Sequence, residues 1–248
     1  MDRIDRWLLP EGIDELLPGE ARRLEQLRRR LLDLYASWGY ELVVPPLIEY
    51  LESLLVGTGH DLDLETFKLT DQLSGRLMGV RADMTPQVAR IDAHRLQRAA
   101  PSRLCYLGTV LRTRPGGPSR TRSPLQVGAE LYGHAGVESD AEILALLVET
   151  LEACGIRGAH VDLGHVGIFR SLAHRAGLDA VQEAELFALL QSKARPELEA
   201  ALAAWRLPPA AAAQLLALVE LNGGDRVLAD AATRLAGAGA EVAAALAT

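Results

Sequence analysis

Asp83 and Thr85, within Val80-Arg81-Ala82-Asp83-Met84-Thr85, and Gln126 and Glu130, within Gln126-Val127-Gly128-Ala129-Glu130, are the side chains whose types and spacing best suit chemistry on a small polar ligand. Two carboxylates, a hydroxyl and an amide can accept from a cation and donate to an acceptor, which suits a small ligand carrying both a cationic and a polar group. Gln126 and Glu130 are four apart, so on a strand they share one face by the period of two, and Gly128 between them predicts an open floor. Taken alone, the same residues also describe a strand's solvent face with a glycine bulge, and Asp83 also describes a cap or turn acid near Thr85.

A second feature is electrostatic. From Arg103 through Gln126 there is no Asp or Glu, while Arg103, Arg112, Arg114, Arg120 and Arg122 fall in that window, so the segment suits an anion; Arg112 and Arg120 are the candidate contacts. The six histidines form no HExxH or paired-cysteine spacing, no GxxxxGK[ST] occurs, and Gly57-Thr58-Gly59 is too short to cradle a nucleotide. No catalytic nucleophile, metal site or cofactor is expected.

The elements that must position these residues follow from periodicity. Leu24, Leu27, Leu31, Leu34, Tyr35 and Trp38 recur at spacings of three and four, predicting a helix over 20–38 that Gly39 ends. A strand at 41–44 closes at Pro45-Pro46. Strands at 66–70 and 76–81 flank a polar connection ending in Gly75, and Thr85 is placed to cap a helix reaching about Arg98, with Pro86 in its first turn. Strands at 103–113 and 123–133 form a long hairpin around residues 114–119. Ser139-Asp140-Ala141-Glu142 reads as a capping box launching a helix to Gly155, and 159–163 reads as one further strand.

Composition frames the whole. At 248 residues the chain can bury a core without staples, and its two cysteines, Cys105 and Cys154, sit in apolar runs that suit small buried hydrophobes in a reducing compartment. A net charge of −7 does not advertise a nucleic-acid partner. The acid-bearing N-terminus lacks a signal-peptide pattern, and no apolar run approaches the roughly 20 residues of a membrane span, so a cytoplasmic location is expected. Beyond His165 β-branched runs give way to alanine-rich helical periodicity broken at Gly177, Pro196, Pro208-Pro209 and Gly223-Gly224, which predicts an α/β (α+β type) core over 1–164 and a helical region over 165–248.

The helix, strand and proline of 20–46, the segment 80–85 and the arginine-flanked hairpin ending Gln126-Val127-Gly128-Ala129-Glu130-Leu131-Tyr132-Gly133 together resemble class II aminoacyl-tRNA synthetases of the histidyl type. They are more closely similar to the shortened, non-aminoacylating paralogues that serve as regulatory subunits of ATP phosphoribosyltransferase. The resemblance spans roughly residues 4–165 and implies a class II core with a mainly antiparallel sheet flanked by helices, followed by a helical insertion. It implies a homodimer through 20–46, and it implies L-histidine as effector, with Asp83 and Thr85 on its ammonium and Gln126 and Glu130 deeper in. It implies the short-form ATP phosphoribosyltransferase catalytic subunit as partner, in the first step of histidine biosynthesis.

The departures are chemical. Where the synthetases read Arg-x-Glu in their second motif, with the Glu accepting from the adenine amino group, this chain reads Arg112-Thr113-Arg114, and a guanidinium has no lone pair to accept that bond. The synthetases' third motif and anticodon-binding domain have no counterpart in residues 1–248. No aminoacylation and no tRNA are therefore expected; the alternative is a fragment of a catalytic histidyl-tRNA synthetase. The end at Thr248 leads to the expectation that the core sheet is incomplete unless a longer chain or a partner completes it.

Overall fold

A computed structural model describes residues 7–56, 60–116 and 120–247. The chain divides into two compact units, one through Ala159 and one from His160. Among the described residues no helix is long and apolar enough to cross a membrane.

The first unit opens with α1 (Pro18–Ser37), which ends where Gly39 takes a left-handed φ of 83° that a side chain would resist. There follow β1 (Glu41–Leu42), β2 (Ile48–Tyr50), α2 (Leu51–Leu54), α3 (His60–Glu65), β3 (Phe67–Thr70) and β4 (Leu77–Val80). Next come α4 (Thr85–Ile91), extended by a π-helical turn over Asp92–Leu96, then β5 (Ser102–Thr109), β6 (Leu125–Tyr132) and α5 (Val137–Ala153). Two three-stranded sheets form, β2-β4-β3 and β1-β5-β6, antiparallel except where β1 runs parallel to β5. The fold is mixed α/β.

The β5–β6 hairpin sorts its side chains by the period of two. Leu104 and Tyr106 point to the face covered by α4, where they pack with Met84, Val88 and Val110. Cys105, Val127 and Ala129 point to the other face, against Tyr35, Tyr40 and Leu146 from α1, its C-terminal turn and α5. The C-terminal half of the predicted α1 stripe packs inside this chain: Leu31 and Tyr35 are 3% exposed, and Leu34 and Trp38 lie against the cluster of Tyr35, whereas Leu24 and Leu27 are only half-buried. The large apolar side chains left in solvent nearby are Leu42, Val44, Leu47 and Ile48.

Three expected details differ. The Ser139–Glu142 capping box does not form. The helix starts earlier, at Val137, and Glu142 turns inward to accept from Arg103 Nε and Nη2, each at 2.7 Å, and from the Tyr40 hydroxyl at 2.9 Å, while Ser139 bonds His134. A bidentate charge-assisted pair outweighs a cap, and it holds the Glu142 carboxyl below the usual carboxylate range. Residues 159–163 carry no strand, because a strand needs a ladder partner and none of the described strands pairs with them. Finally, Cys105 is buried as expected but Cys154, the C-cap of α5, is exposed.

The second unit holds α6 (Val166–Arg175), α7 (Ala180–Gln191), α8 (Arg195–Ala204), α9 (Pro209–Ala217), α10 (Arg226–Arg234) and α11 (Ala240–Ala247). Its own core gathers Leu172, Leu186, Leu198, Leu202, Leu215, Leu235 and Val242. Helix starts are set locally: the Asp179 side chain accepts from Val181 and Gln182 N–H in a full capping box, and Pro196 and Pro209 sit in first turns.

Candidate functional site

Two pieces of backbone meet at the candidate site: the turn between β4 and α4, and the α4-facing side of β6. Arg81, only 8% exposed, fastens the turn. Its guanidinium donates to Thr109 O at 2.9 Å and Pro45 O at 2.7 Å, while its backbone joins Leu47 O and Leu111 N. Burial without a carboxylate pushes its pKa down. A Cβ on Gly108 would come within 2.7 Å of Arg81 Nη2, so the glycine in β5 makes room for this staple.

The four predicted residues come together. Gln126 Nε2 donates to Asp83 Oδ1 at 2.6 Å, and Gln126 Oε1 accepts from Met84 N–H at 3.0 Å. Asp83 Oδ1 also accepts from Thr85 N–H at 3.1 Å. Thr85 is thus the first residue of α4 rather than its cap; Asp83 serves that N–H, and the Thr85 hydroxyl is freed to reach Tyr106 OH at 2.9 Å. Tyr106 in turn donates to Glu130 Oε1 at 3.1 Å. Asp83, Thr85, Gln126 and Glu130 are all half-buried.

Tyr106 is the member that residue spacing missed, and it corrects the expected open floor. It is paired across the hairpin with Gly128, and a Cβ there would stand 2.3 Å from the Tyr106 hydroxyl oxygen. The space beside Gly128 is filled by this ring. The available signal was the alternation Leu104, Tyr106, Gly108 on β5 facing Gln126, Gly128, Glu130 on β6, which becomes readable only with the register in hand.

Electrostatically the site is acidic. The hydrogen bonds to the Asp83 and Glu130 carboxylates come from neutral donors, and burial, helped by the negative charge of Asp83, raises the Glu130 pKa even though the Tyr106 hydroxyl donates to it. Arg112 lies alongside: its Nε is 3.4 Å from Ala82 O and 3.6 Å from Glu65 Oε2. Arg120 is exposed, with a left-handed φ of 52°. Arg122 instead donates to Arg112 O and Glu11 O and lies over the Phe67 ring, which ties the N-terminal segment to the hairpin base. Residues 117–119 of the hairpin tip lie outside the described residues.

Asp83, Thr85, Gln126 and Glu130 are thus gathered between the β5–β6 hairpin and the start of α4, within a fold shared with solved histidyl-tRNA synthetase-like proteins. The structure of an ATP phosphoribosyltransferase regulatory subunit/histidyl-tRNA synthetase from Bacillus halodurans superposes with a TM-score of 0.85 at 27% identity, over 100% of this chain and 63% of that one. The histidyl-tRNA synthetase family model matches residues 12–248, and the chain belongs to that family. It is 64% identical over 242 residues to the ATP phosphoribosyltransferase regulatory subunit of Thioalkalivibrio sulfidiphilus, and 62% identical over 232 residues to that of Alkalilimnicola ehrlichii. Those matches take in 98% and 94% of this chain but 61% and 58% of the relatives' length.

Proposed function

We propose that the protein is a non-catalytic regulatory subunit that works with the short-form ATP phosphoribosyltransferase in the first step of L-histidine biosynthesis, and that L-histidine binds at Asp83, Thr85, Gln126 and Glu130. One observation carries the ligand assignment. Two half-buried carboxylates face one site with neutral hydrogen-bond donors, an arrangement that a cationic ligand stabilises. The ammonium of histidine meets Asp83 and Thr85, and its imidazole meets Glu130 and Gln126. The names of the relatives support the regulatory role. Arg114, where a synthetase needs an adenine acceptor, supports the absence of catalysis.

Histidine binding one arrangement of the assembly better than another passes feedback to the transferase; a coupling of about 1–3 kcal/mol is typical of such effects. The protein acts in the cytoplasm as a hetero-oligomer, with a homodimer built through residues 20–46, and takes no tRNA. Exposed Leu42 and Val44 support that contact. Calorimetry tests the site. A charge-assisted hydrogen bond is worth about 1.5–3 kcal/mol, so Asp83→Ala should weaken L-histidine roughly ten- to a hundredfold. Equal affinity in the two proteins, or binding by neither, sinks the assignment.

A further inference from the structure

The hydrogen bonds of the site have a direction, which follows from counting protons. Gln126 is oriented by the Met84 N–H on its oxygen, so its nitrogen must face Asp83, leaving one amide hydrogen for a ligand. Tyr106 has one proton, donated to Glu130 Oε1. The 2.9 Å contact between Thr85 Oγ1 and Tyr106 OH can then be a bond only if Thr85 is its donor. The Thr85 proton is thereby drawn inward, and its lone pairs are what it shows to a ligand.

We propose that Tyr106 sets the polarity of this site: by taking the Thr85 proton and giving its own to Glu130, it leaves Asp83, Thr85 and Glu130 as three acceptors, selecting ligands that carry a protonated amine. This rests on the histidine reading for the identity of the ligand but not for the role of Tyr106. The ring is 3% exposed and seated against Gly128, so its hydroxyl is held between Thr85 and Glu130 rather than free to rotate away. An isosteric amino-acid analogue lacking the amine meets three lone-pair surfaces and one donor, and is refused. Tyr106 is a positioning residue on this account; the contacts to the ligand are made by its neighbours.

Tyr106→Phe keeps the ring and its seat and removes only the hydroxyl. Glu130 then loses a donor that lowers its pKa against the raising effects of burial and Asp83, so its carboxyl should titrate at higher pH in the variant. This is read by carboxyl-carbon NMR without any ligand. Calorimetry supplies the second measurement, using L-histidine and its deaminated analogue, imidazolepropionate, across pH. L-histidine affinity at neutral pH should fall about tenfold, the size of one lost hydrogen bond. The acid-side loss of affinity should move to higher pH, and the preference for L-histidine over imidazolepropionate should narrow. A Glu130 midpoint that does not rise, or an unchanged affinity and pH profile, overturns the role of Tyr106. If the wild type binds no L-histidine while the Glu130 midpoint still rises in the variant, the histidine reading falls and the polarity role of Tyr106 stands.

Discussion

Gly128→Ala is the substitution whose sign the structure reverses. Gly128 lies in the middle of β6 and is not among the residues with a left-handed φ, so its backbone makes no demand for glycine. At an unobstructed strand position of this kind, alanine would stabilise by roughly 0.5–1 kcal/mol, because glycine loses more chain entropy on folding. Here the added Cβ would stand 2.3 Å from the Tyr106 oxygen, 2.4 Å from Cζ and 2.8 Å from Cε2. All three are closer than real Cβ contacts come, so the ring must shift, and it is 3% exposed and packed among Met84, Val88, Leu104 and Val110. Overpacking of this sort costs roughly 1–3 kcal/mol. Displacing the hydroxyl also weakens its bonds to Thr85 and Glu130, each worth about 1 kcal/mol net. The expected loss is about 2–4 kcal/mol, combining those two contributions. Hydrogen exchange of the β5 and β6 amides measures it in the unit concerned without requiring both units to unfold together. In a Tyr106→Leu background the obstacle is gone, and the same Gly128→Ala change should cost under about 1 kcal/mol or stabilise, a coupling that a double-mutant cycle isolates. A neutral or stabilising Gly128→Ala in the wild type, or an equal effect in both backgrounds, refutes the reasoning.

Two other outcomes are expected. Val44 is 82% exposed, so Val44→Glu should shift sedimentation from dimer to monomer with the fold intact; a wild type that is monomeric at high concentration, or a variant that stays dimeric, counts against a contact through residues 41–46. With Arg114 in place of an adenine acceptor, no histidine-dependent exchange of pyrophosphate into ATP is expected, and robust exchange above a no-protein control would favour a catalytic synthetase instead.

The elements were legible in proportion to how local their causes are. The α1 periodicity marks Leu31 and Tyr35 as inward-facing, and they are, but periodicity says only that a face is covered, not by what. Here Leu34, Tyr35 and Trp38 lie against Cys105 of β5 and Leu146 of α5. Ser139 and Glu142 match a capping box letter for letter, yet Glu142 has Arg103 and Tyr40 within 3 Å, from segments about 40 and 100 residues away, and a local rule cannot weigh such competitors. Residues 159–163 have strand composition without a strand, since β structure is a relation between two segments and composition describes one.

The site repeats this lesson at the scale of single atoms. Asp83, Thr85, Gln126 and Glu130 stand out in the sequence by residue type, and the structure brings them together. Their assembly depends on the β5–β6 register, which sets Tyr106 opposite Gly128 and Gly108 opposite Gln126. Gly128 reads from the sequence as an open floor, but a tyrosine of the same chain fills that space. That exchange alters the chemistry. An open floor would leave Thr85 free to donate or accept, whereas a buried phenol between Thr85 and Glu130 fixes both as acceptors before any ligand arrives. Preorganisation of this kind lowers the entropy that binding must overcome, and it is written in the pairing of two strands rather than in either strand's sequence.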